Sequence, residues 1–159
     1  MSTRGVLLEN IRTIGQGVEA LSRKYFKQSD TRGIDYLSVF TTGQPQYEEW
    51  RMAAASLGTK VAEKRGDVFR LHGTAAHGLP SNVVRISEPG DTLLRGCGDI
   101  IPVSFALVRE VLLAAGFEER QKSLNGQDYT ILEVIDSKAE VSLYVPSVRM
   151  TDVMSIQTE

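Results

Sequence analysis

The chain has 159 residues, which suits one domain or two small halves sharing a core. A formal net charge of −2, with basic residues scattered rather than clustered, excludes the electrostatic footprint of a nucleic-acid binder. The single cysteine, Cys97, excludes an internal disulfide and a multi-cysteine zinc site. No stretch approaches membrane-spanning length, and the Met-Ser-Thr-Arg start lacks the apolar run of a signal peptide. The expectation is a soluble, cytoplasmic protein that does not engage membranes.

Residues 4–26 read as a helix. Leu7, Ile11, Ile14, Val18, Leu21 and Tyr25 recur at spacings of four and three, which draws one apolar stripe along it. Gly15 and Gly17 each cost roughly 1 kcal/mol in a helix interior, so the helix needs a surface to pack on, its own domain or its copy in a dimer. Residues 27–33 read as a polar connector. A strand follows at 35–41, with Leu37 and Val39 alternating with Tyr36, Ser38 and Phe40. Pro45 opens a helix whose Tyr47, Trp50, Ala54 and Leu57 share a face, so Trp50 reads as core rather than as a ligand platform. Gly58 is expected to end that helix in the left-handed conformation. A hairpin turning on Arg65-Gly66 joins strands at 59–64 and 67–72. Residues 73–81 are loop, 82–87 a strand, and Glu88-Pro89-Gly90-Asp91 a turn.

The same order then returns. Residues 91–98 cross to a short strand beginning at Asp99. Pro102 precedes a helix with Phe105, Val108 and Leu112 on its apolar face, and Gly116 stops it. Strands are predicted at 117–123 and 127–135 around Asn125-Gly126, a turn at 136–138, and a last strand at 140–145. After Pro146 the tail is mixed and polar and reads as only partly ordered. The divisions are residues 1–32 (helix and connector), 33–90 (first module), 91–146 (second module) and 147–159 (tail).

Each unit is thus strand, helix, then further strands, with Gly58 corresponding to Gly116 and Gly66 to Gly126. This doubled order resembles the vicinal oxygen chelate superfamily of glyoxalase I, extradiol dioxygenases and bleomycin-resistance binding proteins. The resemblance covers roughly residues 33–146. It implies an α+β fold in which two βαβββ-like modules form a curved mixed sheet, with helices on the outer face, a site in the cup and an added N-terminal helix. A ferredoxin-like α+β sandwich accounts for much of the same pattern. In the metal-bearing members, ligands stand at the starts of the modules' first strands and late in each module. The corresponding residues here are Tyr36, Arg85, Asp99 and Ser142. Only Asp99 suits a metal, so the resemblance implies a degenerate metal site.

Strand parity gives a second route to the cup. The cleaner apolar set of each strand should face the helices: Leu37 and Val39, Phe69 and Leu71, Val84 and Ile86, Val141 and Leu143. The other face carries Tyr36, Ser38, Phe40, Val68, Arg70, His72, Val83, Arg85, Ser87, Asp99, Ser142 and Tyr144. That face either lines a concavity suited to a polar or anionic, partly aromatic ligand, or is solvated with its arginines paired. The candidate ligand-binding residues are Tyr36, Ser38, Arg70, His72, Arg85, Asp99, Ser142 and Tyr144.

Other chemistry is weaker. His72 and His77, the only histidines, match no metal motif, but with Asp99 they would make a two-histidine, one-carboxylate site. Cys97 lies between Gly96 and Gly98, which would admit a substrate, and Arg95 would lower its pKa. A cysteine nucleophile also needs a base, for which one of the histidines would have to come near. His72-Gly-Thr74 has no second half of a phosphoesterase signature. The functional expectation is a small-molecule-binding protein without a catalytic metal or other cofactor, acting as a homodimer. The alternatives are a divalent-metal lyase, isomerase or dioxygenase using His72, His77 and Asp99, and an interaction module using the N-terminal helix.

Overall fold

The computed structural model of the chain describes residues 2–135, 138 and 140–157. The turn expected at 136–138 lies outside them apart from Lys138. Helix α1 (Thr3–Tyr25) leads through a short 3-10 turn into β1 (Thr31–Val39), α2 (Gln44–Leu57), β2 (Gly58–Glu63), β3 (Gly66–Leu71) and β4 (Val83–Ser87). The second half runs β5 (Gly96–Pro102), α3 (Phe105–Ala114), β6 (Glu119–Leu124), β7 (Gln127–Ile135), β8 (Val141–Pro146) and α4 (Met150–Val153). The strands form one mixed sheet in the order β2-β3-β4-β1-β5-β8-β7-β6.

That order is the same module written twice. In each half the first strand runs parallel to the last, β1 with β4 and β5 with β8, and the two middle strands continue outward antiparallel. The halves join where β1 pairs antiparallel with β5, with Tyr36 opposite Asp99 and Ser38 opposite Cys97. The fold is therefore α+β, with two βαβββ modules in a curled sheet whose long helices pack on one face. Among the described residues, no helix is long and apolar enough to cross a membrane.

The parity assignment holds on the helix side. Leu37, Val39, Phe69, Leu71, Val84, Ile86, Val141 and Leu143 all belong to the main core, with the α1 residues Leu7, Ile11, Ile14, Val18 and Leu21. The α1 stripe lies against the chain's own β1, β5 and β8, so it is not available as a partner-binding face. The two helix glycines follow from that packing. A Cβ on Gly17 would stand 2.7 Å from Val141 Cγ2, and one on Gly15 would stand 3.1 Å from the Pro80 ring.

Four expectations are corrected. β1 begins at Thr31, not 35, because it pairs with β5 as far as Pro102 and absorbs the extra residues in register shifts around Ile34. β5 begins at Gly96, not Asp99, for the same reason of pairing. Gly58 is no left-handed stop: its φ of −165° is extended, and it starts β2 directly. Glycine is required there because a Cβ would lie 2.1 Å from the Arg70 carbonyl oxygen.

The last correction is the tail, which is ordered through residue 157. Met150, Met154 and Ile156 are buried on the sheet face away from the long helices, against Tyr36, Val68, Val83, Tyr129 and Ile131. Asp35 holds the segment in place. Its Oδ2 accepts from the Thr151 N–H at 3.0 Å, and its Oδ1 accepts from the Thr151 hydroxyl at 2.6 Å and from Arg149 Nε at 3.2 Å. These methionines and the isoleucine are too irregularly spaced to register as a helix stripe, so the tail looked unstructured in sequence.

Candidate functional site

Two rows of side chains cross the face opposite the long helices. Alternation puts Ser38, Arg85, Cys97 and Ser142 in one row, since Ser38 pairs with Arg85 and Cys97, and Cys97 with Ser142. It puts Tyr36, Asp99, Tyr144 and Glu133 in the next. Between these rows and the outer hairpins lies a cavity of about 230 Å³. It is lined by Tyr36, Lys64, Arg65, Arg85, Cys97, Asp99, Arg120, Lys122, Ser123, Leu124, Tyr129, Ile131, Glu133 and Tyr144. Five basic side chains thus face two acidic ones, and Arg120 stands 3.8 Å from Glu133.

The cations nearest the floor are bound to neutral oxygens. Arg85, 8% exposed, donates from Nε to Ser38 Oγ at 3.0 Å and from Nη1 to the Lys64 carbonyl at 3.1 Å. Lys64 donates from Nζ to the Tyr36 hydroxyl at 3.0 Å. Among the described residues, neither cation is ion-paired with a carboxylate. Burial pulls the Lys64 ammonium below its ordinary pKa, against the pull of Asp99.

Asp99 is the deepest acid, 1% exposed, and its Oδ2 is buried with no hydrogen-bond partner. Burial pushes its carboxyl up to about 7, although Lys64 and Arg85 both favour the charged form. Burial also raises the Tyr36, Tyr129 and Tyr144 hydroxyls, so all three are neutral donors at physiological pH.

Cys97 is on the cavity side, but burial pushes its thiol up to about 12, so it stays protonated. Arg95, expected to activate it, instead pairs with Glu140 at 2.5 Å. Gly96 and Gly98 do not admit a substrate either. They point the other way, where a Cβ on Gly98 would stand 2.7 Å from Val18 Cγ1 and one on Gly96 2.7 Å from Ile14 Cδ1. They let α1 lie close on β5, the strand that carries Cys97 and Asp99. Gly98→Ala should cost about 1–3 kcal/mol, read as a lowered urea midpoint with unchanged slope, because the Val18 methyls must give way in a packed core.

Of the sequence-predicted set, Tyr36, Arg85, Asp99 and Tyr144 come together in the cavity wall. Ser38 and Ser142 are in the right rows but fully buried, Ser38 as the seat of Arg85. Arg70 does not line the cavity; it donates to the Gln157 carbonyl in the C-terminal segment. His72 and His77 are exposed outside the cavity, and His72 Nε2 lies 2.8 Å from Thr59 Oγ1. No group of three His, Cys, Asp or Glu side chains that could hold a metal exists among the described residues, so His72, His77 and Asp99 do not form one. The positions that resemble metal ligands hold a tyrosine, an arginine, a serine and one carboxylate, a donor set that does not fit a metal.

Sequence reasoning missed Lys64, Tyr129 and Glu133. The β7 pair was legible: Leu132 and Val134 belong to the helix-side core, which sends Tyr129, Ile131 and Glu133 to the cup. Lys64 had no such signal, since it reaches the cavity from a hairpin turn.

No protein-family model matches the chain, and no curated protein matches it. A solved structure described as "Structural Genomics, Protein EC4020" is similar to it, with a TM-score of 0.66 and 17% identity, covering 97% of this chain and 92% of that one. At that identity the likeness concerns the fold alone.

Proposed function

We propose that this protein binds a small anionic molecule in the cup, with Lys64 and Arg85 receiving its acid group and Tyr36, Tyr129 and Tyr144 flanking it. The observation that carries this reading is a buried arginine and a half-buried lysine converging on a cavity with no carboxylate paired to either among the described residues. A buried cation is costly unless an opposite charge meets it, and a guanidinium matches a carboxylate or phosphate in shape. An anion would also favour the charged form of Lys64, whose pKa burial lowers. The volume of about 230 Å³ is below the roughly 300–1,000 Å³ of most ligand sites, so the ligand is a small metabolite. The doubled βαβββ order supports kinship with the binding-protein branch of the vicinal oxygen chelate superfamily, acting through this cavity without a metal.

Titration calorimetry with phenylacetate, a small aromatic carboxylate, tests the reading. Wild-type protein should bind it, more weakly as salt rises. Lys64→Met and Arg85→Met should each weaken binding by roughly tenfold or more, the scale of a charge-assisted hydrogen bond. Equal affinity in wild type and both folded variants would overturn it.

A further inference from the structure

In this cavity Arg85 and Lys64 have hydrogen-bond acceptors though no counter-charge, and one acidic oxygen has no hydrogen-bond partner at all. Arg85 has Ser38 and the Lys64 carbonyl, and Lys64 has the Tyr36 hydroxyl. Asp99 lines the same space with a buried oxygen that accepts from nothing. Native structures rarely leave a buried carboxylate oxygen unpaired, because each such oxygen forfeits its hydration. For the ionised carboxylate the missing partner is a donor. No donor in the cavity wall fills the role, since Oδ2 is unpaired with all of them in place.

Resting on the anion-binding reading above, we infer that the ligand is an anion that also carries a hydroxyl group, a hydroxy acid in chemical class, which places its acid group against Lys64 and Arg85 and donates a hydrogen bond from its hydroxyl to Asp99. The donor is a hydroxyl rather than an ammonium because the five basic side chains around the cavity would repel a second cation. Asp99 is among the residues that line the cavity, which puts its carboxyl beside a ligand held there. Asp99 is then a specificity-determining residue, and Lys64 and Arg85 are the source of affinity for any acid.

Mandelate and phenylacetate test this, because they share ring and carboxylate and differ in one hydroxyl. Calorimetry on the full chain at pH 8, where Asp99 is ionised, should show mandelate binding roughly tenfold or more tightly than phenylacetate, as expected for a hydrogen bond to a charged acceptor. Asp99→Ala should bring the ratio near one. Asp99→Asn, which keeps the volume and one neutral acceptor, should leave an intermediate ratio and serves if the alanine variant does not fold. Equal binding of the two acids to wild type, or a preference that survives in both variants, overturns the hydroxyl assignment and leaves the anion reading standing. Binding of neither acid overturns both.

Discussion

Asp99→Asn should flatten the pH dependence of stability between about pH 4 and pH 8. In the folded protein the Asp99 carboxyl titrates at about 7, against an ordinary value of 3.8, because burial disfavours its charge. Between those two values the folded state therefore holds a proton that the unfolded state has released. Its stabilising contribution is complete below the unfolded value and is lost as pH rises through the folded one. A gap of about 3 pKa units corresponds to roughly 4 kcal/mol. Urea unfolding of wild type and Asp99→Asn at several pH values isolates the effect. The stability difference between the two should swing by that amount in favour of the variant as pH climbs, whereas parallel curves would show that Asp99 is not a buried, unpartnered acid.

Asp35→Ala should cost about 3–5 kcal/mol. The Asp35 carboxylate is 5% exposed and accepts from the Thr151 N–H, the Thr151 hydroxyl and Arg149. Its removal strands two buried Thr151 donors and the charge partner of Arg149, which is the costly way to break a buried ionic network. The loss should concentrate in the C-terminal segment. Hydrogen exchange should accelerate at Met154 and Ile156, whose amides bond back to Met150 and Thr151, while the amides joining β1 to β5 stay protected. Thr151→Val should reproduce part of the effect. Uniformly faster exchange across the sheet would mean that Asp35 supports the whole domain and not this segment.

The sequence makes the fold legible because period-2 alternation and glycine punctuation survive in nearly every strand. Leu37 against Tyr36, Val84 against Arg85 and Leu143 against Tyr144 sort core from cup without structural knowledge. The start of β1 was hidden because Thr31, Arg32 and Gly33 carry no apolar signal and are strand only through pairing with β5. The site is legible where parity governs, at Tyr36, Arg85, Asp99 and Tyr144. It is illegible where a residue arrives from outside the strand pattern, as Lys64 does from its turn. Parity also misplaced Arg70 and His72. Arg70 is in β3 and His72 lies just past its end, toward the sheet edge, where Arg70 meets the C-terminal segment and His72 meets Thr59. The glycines around Cys97 misled in a different way, since the close approach they permit is that of a helix on the opposite face.

The proposed anion site in the cup depends on Lys64 and Arg85. Nitrogen-15-resolved NMR of the full chain titrated with phenylacetate reports where binding occurs as well as whether it does. Saturable amide shifts are expected, centred on Tyr36, Lys64, Arg85, Asp99, Tyr129 and Tyr144, and saturating at roughly tenfold or more higher phenylacetate in Lys64→Met. Shifts that cluster instead on the exposed α3 face or on the His72–His77 loop, or no saturable shift at all, would contradict the proposed site.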